Sequence, residues 1–260
     1  MNIVTKSRRT VSVLRKEGFL RVADILISKY SPFSLPAELK WRAGVRSELE
    51  FWDDYIRVKG LGWSDNYPDR LDPNLPLQPR LEALLPPEKE VHILDVGAGP
   101  LTWLGKISRG RALKITAIDP LADEYDKILH KYGVQPIVRT RSLAGEDLTK
   151  RFTVNTFDLC CARNSIDHAY NPERVIVRMI DVVKKGRYVL LEHNVNEAEK
   201  AKYTGLHQWN FDLSGDKDFL IRSKSHVTNM TQKYADRCAI SCELGSEAGR
   251  DWLITRILKN

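Results

Sequence analysis

Long hydrophobic runs and cysteines are both scarce in this chain of 260 residues. The longest uninterrupted apolar runs have four residues, such as Tyr188 to Leu191, whereas a membrane-spanning helix needs about 20 predominantly apolar residues. The sequence therefore predicts no transmembrane helix. Four cysteines, with Cys160 and Cys161 adjacent, are too few for a secreted disulfide framework, and no signal-peptide core follows Met1. We expect a protein of the reducing cytoplasm.

A basic surface suited to nucleic acid is also missing from most of the chain. The 41 basic and 34 acidic residues give a net charge of +7. Residues 1–29 hold seven basic and two acidic groups and so account for +5 of this net charge. The other 231 residues carry only +2, so we expect no DNA partner. The basic segment includes a predicted helix at 11–29, which would either lie on an anionic membrane surface or pack on its own domain or a partner subunit.

The chain divides into three parts by composition. Residues 1–66 form a predicted helical N-terminal extension, with helices at 11–29 and 45–59. Residues 67–87 hold half of the twelve prolines and form a connector, because proline disfavours helix interiors. From residue 88 to 260, short apolar strands alternate with amphipathic helices, which indicates an α/β domain with a parallel sheet.

The predicted strands of this domain lie at 92–96, 113–119, 135–139, 157–162 and 187–193. One intervening helix begins with Asn171 as N-cap and Pro172 at its first position, and closes with Lys184, Lys185 and Gly186. Two final strands, 237–244 and 251–260, are separated by a spacer too short for a crossover helix, so they should pair antiparallel. An inserted hairpin at about 207–224 should lie over the carboxyl edge of the sheet, where ligands bind in such folds.

The first strand ends in a glycine turn, Asp95-Val96-Gly97-Ala98-Gly99, that opens towards a ligand. A dinucleotide fingerprint would need Gly or Ala where Thr102 stands, which weakens a nicotinamide oxidoreductase reading. A phosphate-binding P-loop would need Ser or Thr where Ile107 stands, and its spacing is one residue too long.

The pattern hydrophobic-Asp-x-Gly-x-Gly resembles motif I of the class I S-adenosylmethionine-dependent methyltransferases. An acidic residue before the glycines suits a ligand with a cationic sulfonium and an ammonium group. Asp119 ends the second strand, where a carboxylate can bind the two ribose hydroxyls. Glu146 or Asp147 resembles the acidic residue that reaches the adenine amino group, and which of the two does so stays open.

This resemblance implies a Rossmann-like, seven-stranded, mostly parallel sheet with an antiparallel last strand. It implies S-adenosylmethionine as cofactor and S-adenosylhomocysteine as product. The residues expected at the cofactor are Asp95, Gly97, Ala98, Gly99, Asp119, Pro120, Glu146, Asp147, Arg163, Asn164 and His168.

Methyl transfer to an oxygen is helped by a base that removes the hydroxyl proton, and histidine titrates in the useful range. We expect His193 and His207 to be catalytic, since His193 follows the fifth strand and His207 begins the inserted hairpin, both at the cofactor edge. His168 would pack near the cofactor. Glu192 is a lesser candidate because it could instead pair with Arg163.

Four further residues are expected on the substrate side. Trp209 and Asn210 would give the hairpin an aromatic and amide surface suited to a polar ring, and Tyr67 and Arg70 lie in the segment that commonly caps the active site in this family. No metal site is expected, because Cys238 and Cys242 lack a further Cys or His partner motif.

The expected function is methyl transfer to a small polar acceptor, with a sugar hydroxyl as the leading choice. The segments ELEFWDDYI and GLHQWNF, with the basic leading helix, loosely resemble methyltransferases of surface polysaccharide or glycolipid assembly. One alternative is an RNA methyltransferase whose basic N-terminus binds the phosphates of the RNA. The other is a non-catalytic module that binds S-adenosylmethionine. The sequence does not indicate which oligomeric state the protein has.

Overall fold

The computed structural model describes residues 37–60, 67–247 and 249–260. The expected helix at 11–29 lies outside these residues. The helices are α1 (Ala37–Arg57), α2 (Tyr67–Leu71), α3 (Pro79–Glu82), α4 (Ala122–Lys131), α5 (Leu148–Arg151), α6 (Pro172–Val182), α7 (Glu197–Lys200) and α8 (Met230–Lys233), with 3₁₀ turns at Gly145–Asp147 and Ile166–His168. Among the helices described, none combines the length and apolarity needed to cross a membrane.

Helix α1 starts earlier and ends earlier than the predicted helix at 45–59. It stops at Arg57 because Lys59 and Gly60 take left-handed backbone conformations, with φ of 56° and 104°. The N–H of Gly60 then donates to the carbonyl of Tyr55 at 2.9 Å. In the proline-rich connector, short helices still form, since Pro79 occupies the first turn of α3, where its missing N–H has no cost.

The central sheet has seven strands: β1 (Glu90–Val96), β2 (Ala112–Asp119), β3 (Arg141–Ser142), β4 (Phe157–Arg163), β5 (Val183–Asn194), β9 (Cys238–Glu247) and β10 (Arg250–Lys259). Their order in the sheet is β3-β2-β1-β4-β5-β10-β9. Strands β1 to β5 pair in parallel, and β10 runs antiparallel to β5 and β9. The expected fold is confirmed.

Two further predicted boundaries are wrong. The third strand is not at 135–139 but at Arg141–Ser142, next to Ile118 and Asp119 of β2, and Pro136 in the predicted segment cannot donate to a ladder. Helix α6 does not run to Gly186. It ends at Val182, because Val183 is already extended (φ −72°, ψ 146°) and starts β5.

Both faces of the sheet are covered by apolar side chains. On one face, Val175, Ile176 and Met179 of α6 pack against the strands, and on the other Leu77 and Leu81 of the connector do. The N-cap prediction for α6 is confirmed, since Asn171 accepts a hydrogen bond from the N–H of Arg174 at 2.9 Å. These layers hold the carboxyl ends of β1, β2, β4 and β5 at one edge.

A second antiparallel sheet follows β5. Strands β6 (Asn210–Leu213) and β7 (Phe219–Arg222) form a hairpin within the predicted segment, and β8 (Val227–Asn229) adds a third strand beyond it. Phe211, Phe219 and Ile221 are buried in the same core as α6. This packing fixes the loop before β6, which carries His207, against the main domain.

Candidate active site

A cavity of about 670 Å³ lies at the carboxyl edge of the sheet, within the size range of small-ligand pockets. Its floor comes from the ends of β1, β2, β4 and β5, and helix α1 covers it. The predicted residues that line it are Arg70, Gly97, Ala98, Gly99, Asp119, Pro120, Glu146, Asp147, Arg163, Asn164, His168 and His207. Further lining residues include Trp41, Glu48, Phe51, Trp52, Tyr170, Asn194, Glu197 and Trp252.

The glycine turn is packed tightly on both sides. Gly97 and Gly99 have φ of 71° and 63°, a conformation that favours glycine. A Cβ on Gly97 would lie 2.4 Å from the Ser165 hydroxyl, and one on Gly99 would lie 2.7 Å from Trp52. The turn therefore leaves room for a ligand only along its backbone.

Asp119 presents a carboxylate to the cavity just beyond this turn. Its two oxygens accept hydrogen bonds from the N–H groups of Gly99 at 3.2 Å and Leu121 at 2.9 Å. Burial, with a smaller effect from the negative charge of Glu48, raises the pKa of Asp119 to about 7. Each carboxylate oxygen can accept a further hydrogen bond, so the residue suits a ribose diol.

The structure places Asp95, one of the residues expected at the cofactor, behind the cavity wall. Asp95 is buried, does not line the cavity, and accepts a hydrogen bond from the Thr102 hydroxyl at 2.5 Å. That hydroxyl accepts in turn from the N–H of Leu104 at 3.2 Å. Burial raises the pKa of Asp95 to about 6. Asp95 therefore braces the segment after the glycine turn.

Both acidic residues of the 3₁₀ turn line the cavity. Glu146 accepts a hydrogen bond from the N–H of Asn171 at 3.1 Å, and burial raises its pKa. Asp147 pairs with Lys150 at 3.1 Å and Arg174 at 3.6 Å. Both carboxylates therefore line the cavity, and the contact of one of them with an adenine amino group stays a prediction.

Arg163 is held in the cavity wall by a buried carboxylate and two indole rings. Glu192 pairs with Arg163 at 3.1 Å and, through its other oxygen, with Arg80 at 2.8 Å. The guanidinium lies 5.1 Å from the ring centre of Trp103 and 4.8 Å from that of Trp252. The predicted pairing of Glu192 with Arg163 is confirmed, and the fixed cation suits a ligand carboxylate.

Asn164 and Asn194 form a pair at the ends of β4 and β5. Asn164 has a φ of 46°, and its side-chain oxygen accepts from the backbone and side-chain nitrogens of Asn194 at 3.3 and 3.1 Å. Because a backbone N–H can only donate, this fixes the amide orientation of both residues. No described residue donates to the side-chain oxygen of Asn194, although Asn194 is buried and lines the cavity.

His168 and His207 meet above a buried aspartate, Asp167. His168 Nε2 lies 3.1 Å from His207 Nδ1, which lies 2.9 Å from Asp167 Oδ2. The imidazoles hold the pKa of Asp167 well below its usual range, and Asp167 raises the pKa of His207 against the effect of burial. Glu48 of α1 lies 3.7 Å from His168.

His193 is not placed to act as a base, which corrects the sequence prediction. It is only 2% exposed, its Nε2 accepts the N–H of Ile166 at 3.2 Å, and its ring packs edge-on against Phe211. Burial lowers its pKa to about 4, so it stays neutral. His193 anchors the second sheet instead.

Three of the four predicted substrate residues also lie outside the cavity. Trp209 packs against the core. Asn210 is fully buried, accepts from the N–H of Glu199 and donates to the Tyr203 hydroxyl, both at 3.0 Å. Tyr67 packs edge-on against Tyr55.

Arg70 does line the cavity. It donates a hydrogen bond to the carbonyl of Leu101, and its guanidinium lies 5.6 Å from the ring centre of Trp52. Sequence reasoning missed Glu48, Asp167 and Asn194. For Asp167 the only signal was its place beside His168.

Comparison with known proteins agrees with this geometry. Residues 94–191 match the family model Methyltransf_11, described as "Methyltransferase domain". The phosphoethanolamine N-methyltransferase 2 of Haemonchus contortus, solved with phosphomonomethylethanolamine and S-adenosylhomocysteine, is similar over 88% of this chain and 62% of its own, at 14% identity and a TM-score of 0.52. A methyltransferase solved in complex with the Haloferax volcanii Trm112 activator is similar over 83% of this chain and 97% of its own, at 12% identity and a TM-score of 0.50. Among curated proteins there is no match.

The strand order, the glycine turn and Asp119 define a Rossmann-like methyltransferase fold. Residues 94–191 carry a methyltransferase domain that matches the Methyltransf_11 family model, with S-adenosylmethionine as the methyl donor. The residues present fit that cofactor, since the turn, the Asp119 carboxylate and the fixed Arg163 face one cavity.

Proposed function

We propose that this protein transfers a methyl group to a hydroxyl of a sugar-like acceptor, in the assembly of a surface glycan or glycolipid. The observation that carries the proposal is the composition of the cavity beyond the glycine turn. The carboxylates of Glu48 and Glu197 line this cavity together with the rings of Trp41 and Tyr170. Carboxylates accept hydrogen bonds from hydroxyl pairs, and ring faces pack against the C–H faces of sugars.

The opposite half of the cavity fits the cofactor. Asp119 would accept the ribose hydroxyls, Glu146 or Asp147 the adenine amino group, and Arg163 would bind the carboxylate of the methionine part. S-adenosylmethionine supplies an electrophilic methyl group on a positively charged sulfur. This chain's residues hold the two reactants in line and exclude water, which converts binding energy into reaction rate.

The resemblance in the ELEFWDDYI and GLHQWNF segments also supports a glycan acceptor. Glu48 and Trp52 of α1 come from the first of these, and His207 from the second. All three residues line the cavity.

The test is methyl transfer by the purified full-length chain from radiolabelled S-adenosylmethionine. The acceptor panel contains nucleotide-linked sugars, methyl glycosides, a catechol, a primary amine and total RNA. We expect label in the sugar acceptors as a base-stable ether. Label only in phenol, amine or RNA overturns the proposal, as does tight binding of S-adenosylhomocysteine without transfer to any acceptor.

A matched pair of variants tests whether Glu197 binds the acceptor. Glu197→Gln should raise the KM for the sugar acceptor and leave the KM for S-adenosylmethionine unchanged. Glu199→Gln, two residues on and not a lining residue, should change neither constant. Equal effects of the two substitutions would remove Glu197 from the acceptor site.

A further inference from the structure

We propose that Asp167, His168 and His207 form a binding site for one divalent transition-metal cation at the acceptor end of the cavity. The acceptor hydroxyl oxygen is a further ligand of this cation. The metal site itself is independent of the proposed function, and only the role of the acceptor rests on it.

The geometry of the three side chains is that of adjacent ligands on one cation. Asp167 Oδ2, His168 Nε2 and His207 Nδ1 form a triangle with sides of 2.9, 3.1 and 3.5 Å. Ligands bound at about 2.1 Å would lie about 3.0 Å apart in an octahedron and about 3.4 Å apart in a tetrahedron. The three distances therefore match those between adjacent ligands of one cation at normal bond lengths.

Hydrogen atoms alone satisfy this triangle poorly. His207 Nδ1 is close to both Asp167 Oδ2 and His168 Nε2, yet it can carry only one hydrogen. When His207 Nδ1 carries the hydrogen, it is shared between Asp167 Oδ2 and His168 Nε2. When His168 Nε2 carries a hydrogen and donates it to His207 Nδ1, no hydrogen lies between His207 Nδ1 and the Asp167 carboxylate. A cation at the centre would accept all three lone pairs.

The buried aspartate provides a second, separate observation. Asp167 is only 2% exposed, and no described residue donates a hydrogen bond to its Oδ1. A buried carboxylate with an unsatisfied oxygen is costly unless it is paired with positive charge. A cation at Oδ2 supplies that charge, and Oδ1 could join as a bidentate ligand.

A further carboxylate lies on the outer side of the cluster. Glu48 Oε2 is 3.7 Å from His168 Nδ1, the ring nitrogen that does not face the triangle. Histidine ligands in metal sites commonly donate that second N–H to a carboxylate, which fixes the ring orientation. A short shift of α1 would complete this contact.

Two nitrogen ligands and one carboxylate leave positions open on the cation, and both histidines line the cavity. This ligand set suits manganese, iron, cobalt or zinc rather than calcium. A hydroxyl bound to such a cation loses its proton more readily. The proton leaves to solvent, the oxygen forms a bond to the methyl carbon, and the carbon–sulfur bond breaks, giving an ether and neutral S-adenosylhomocysteine.

The binding test uses the full-length chain freed of metal by chelator and dialysis, with Mn²⁺ and Co²⁺ as probes. Calorimetry and Mn²⁺ electron paramagnetic resonance should show one bound equivalent, and Co²⁺ should give visible absorption bands from nitrogen coordination. His207→Ala and His168→Ala should weaken Mn²⁺ binding more than tenfold. The matched control is His92→Ala, which changes a half-exposed histidine on β1 and should leave Mn²⁺ binding unchanged.

Circular dichroism and melting temperature establish that the variants are folded. Binding that is absent from the native chain, or that persists equally in folded His207→Ala, overturns the metal site. Methyl transfer to sugars that continues at full rate after the metal has been removed overturns the role of the cation as a ligand of the acceptor hydroxyl, but leaves the proposed function standing. Site-specific Mn²⁺ binding without transfer to any sugar supports the metal site and overturns the proposed function.

Discussion

The affinity of this protein for S-adenosylhomocysteine should rise with pH through the titration of Asp119. Burial and the charge of Glu48 raise the pKa of this carboxyl to about 7, so it is largely neutral at pH 6 and ionised at pH 8. The ribose hydroxyls donate hydrogen bonds, and the ionised form accepts them better. If only that form binds, the apparent Kd scales as 1 + 10^(pKa − pH), which gives about tenfold weaker binding at pH 6 than at pH 8.

Isothermal titration calorimetry between pH 6 and 8 at constant ionic strength measures this dependence. Asp119→Asn should bind more weakly and with a flatter pH profile, because any effect of Asp95 or of the ligand itself remains in that variant. Glu48→Gln should move the midpoint to lower pH, since it removes a charge that raises the pKa of Asp119. A flat profile in the native chain, or an equally steep one in Asp119→Asn, would refute the reasoning.

Three further predictions concern packing and buried polar groups. Gly99→Ala should lower the affinity for S-adenosylhomocysteine more than tenfold by calorimetry, because its Cβ would overlap the ring of Trp52 in α1. The control is Gly133→Ala, which has a similar φ of 65° but open space around it. This substitution should lower the free energy of unfolding by about 1 kcal/mol and leave the affinity unchanged. Glu192→Ala leaves Arg163 without its buried partner and should reduce the free energy of unfolding in urea by about 3 kcal/mol, so a loss below about 1 kcal/mol contradicts the pairing. Asn210→Ala should destabilise the chain by about 1–2 kcal/mol in the same assay with no change in the KM of either substrate, and a raised KM would return it to the site.

Much of the sheet could be predicted because its signals are local. The apolar strands other than the third, the glycine turn and the Asn171 cap each depend on a few neighbouring residues, and these are present in the structure. The third strand was misplaced because it is only two residues long, too short for any alternation of apolar and polar residues.

The site was harder to predict because single-residue offsets decide which side chains face it. Along β5, side chains alternate between the two faces. Glu192 and Asn194 point to the cavity side, where Glu192 holds Arg163, while His193 between them packs on Phe211. A position at the end of a strand predicted the right edge for His193 but not the right face.

Glu48 was missed for a different reason. Its place in the cavity depends on how α1 lies across the sheet, a long-range contact that helical periodicity does not contain. Asp167 likewise became significant only when the loop before β6 brought His207 to it from 40 positions along the chain.

The contact between Trp52 and Gly99 has a kinetic consequence. Trp52 lies on the cofactor turn and also donates a hydrogen bond to Glu48 at 2.9 Å, which faces His168 at the acceptor end. One face of α1 thus contacts both the cofactor turn and the acceptor end, so we expect product release to involve a displacement of that helix. We therefore expect a turnover number that falls as solvent viscosity rises, with the exchange of spent cofactor as the slow step.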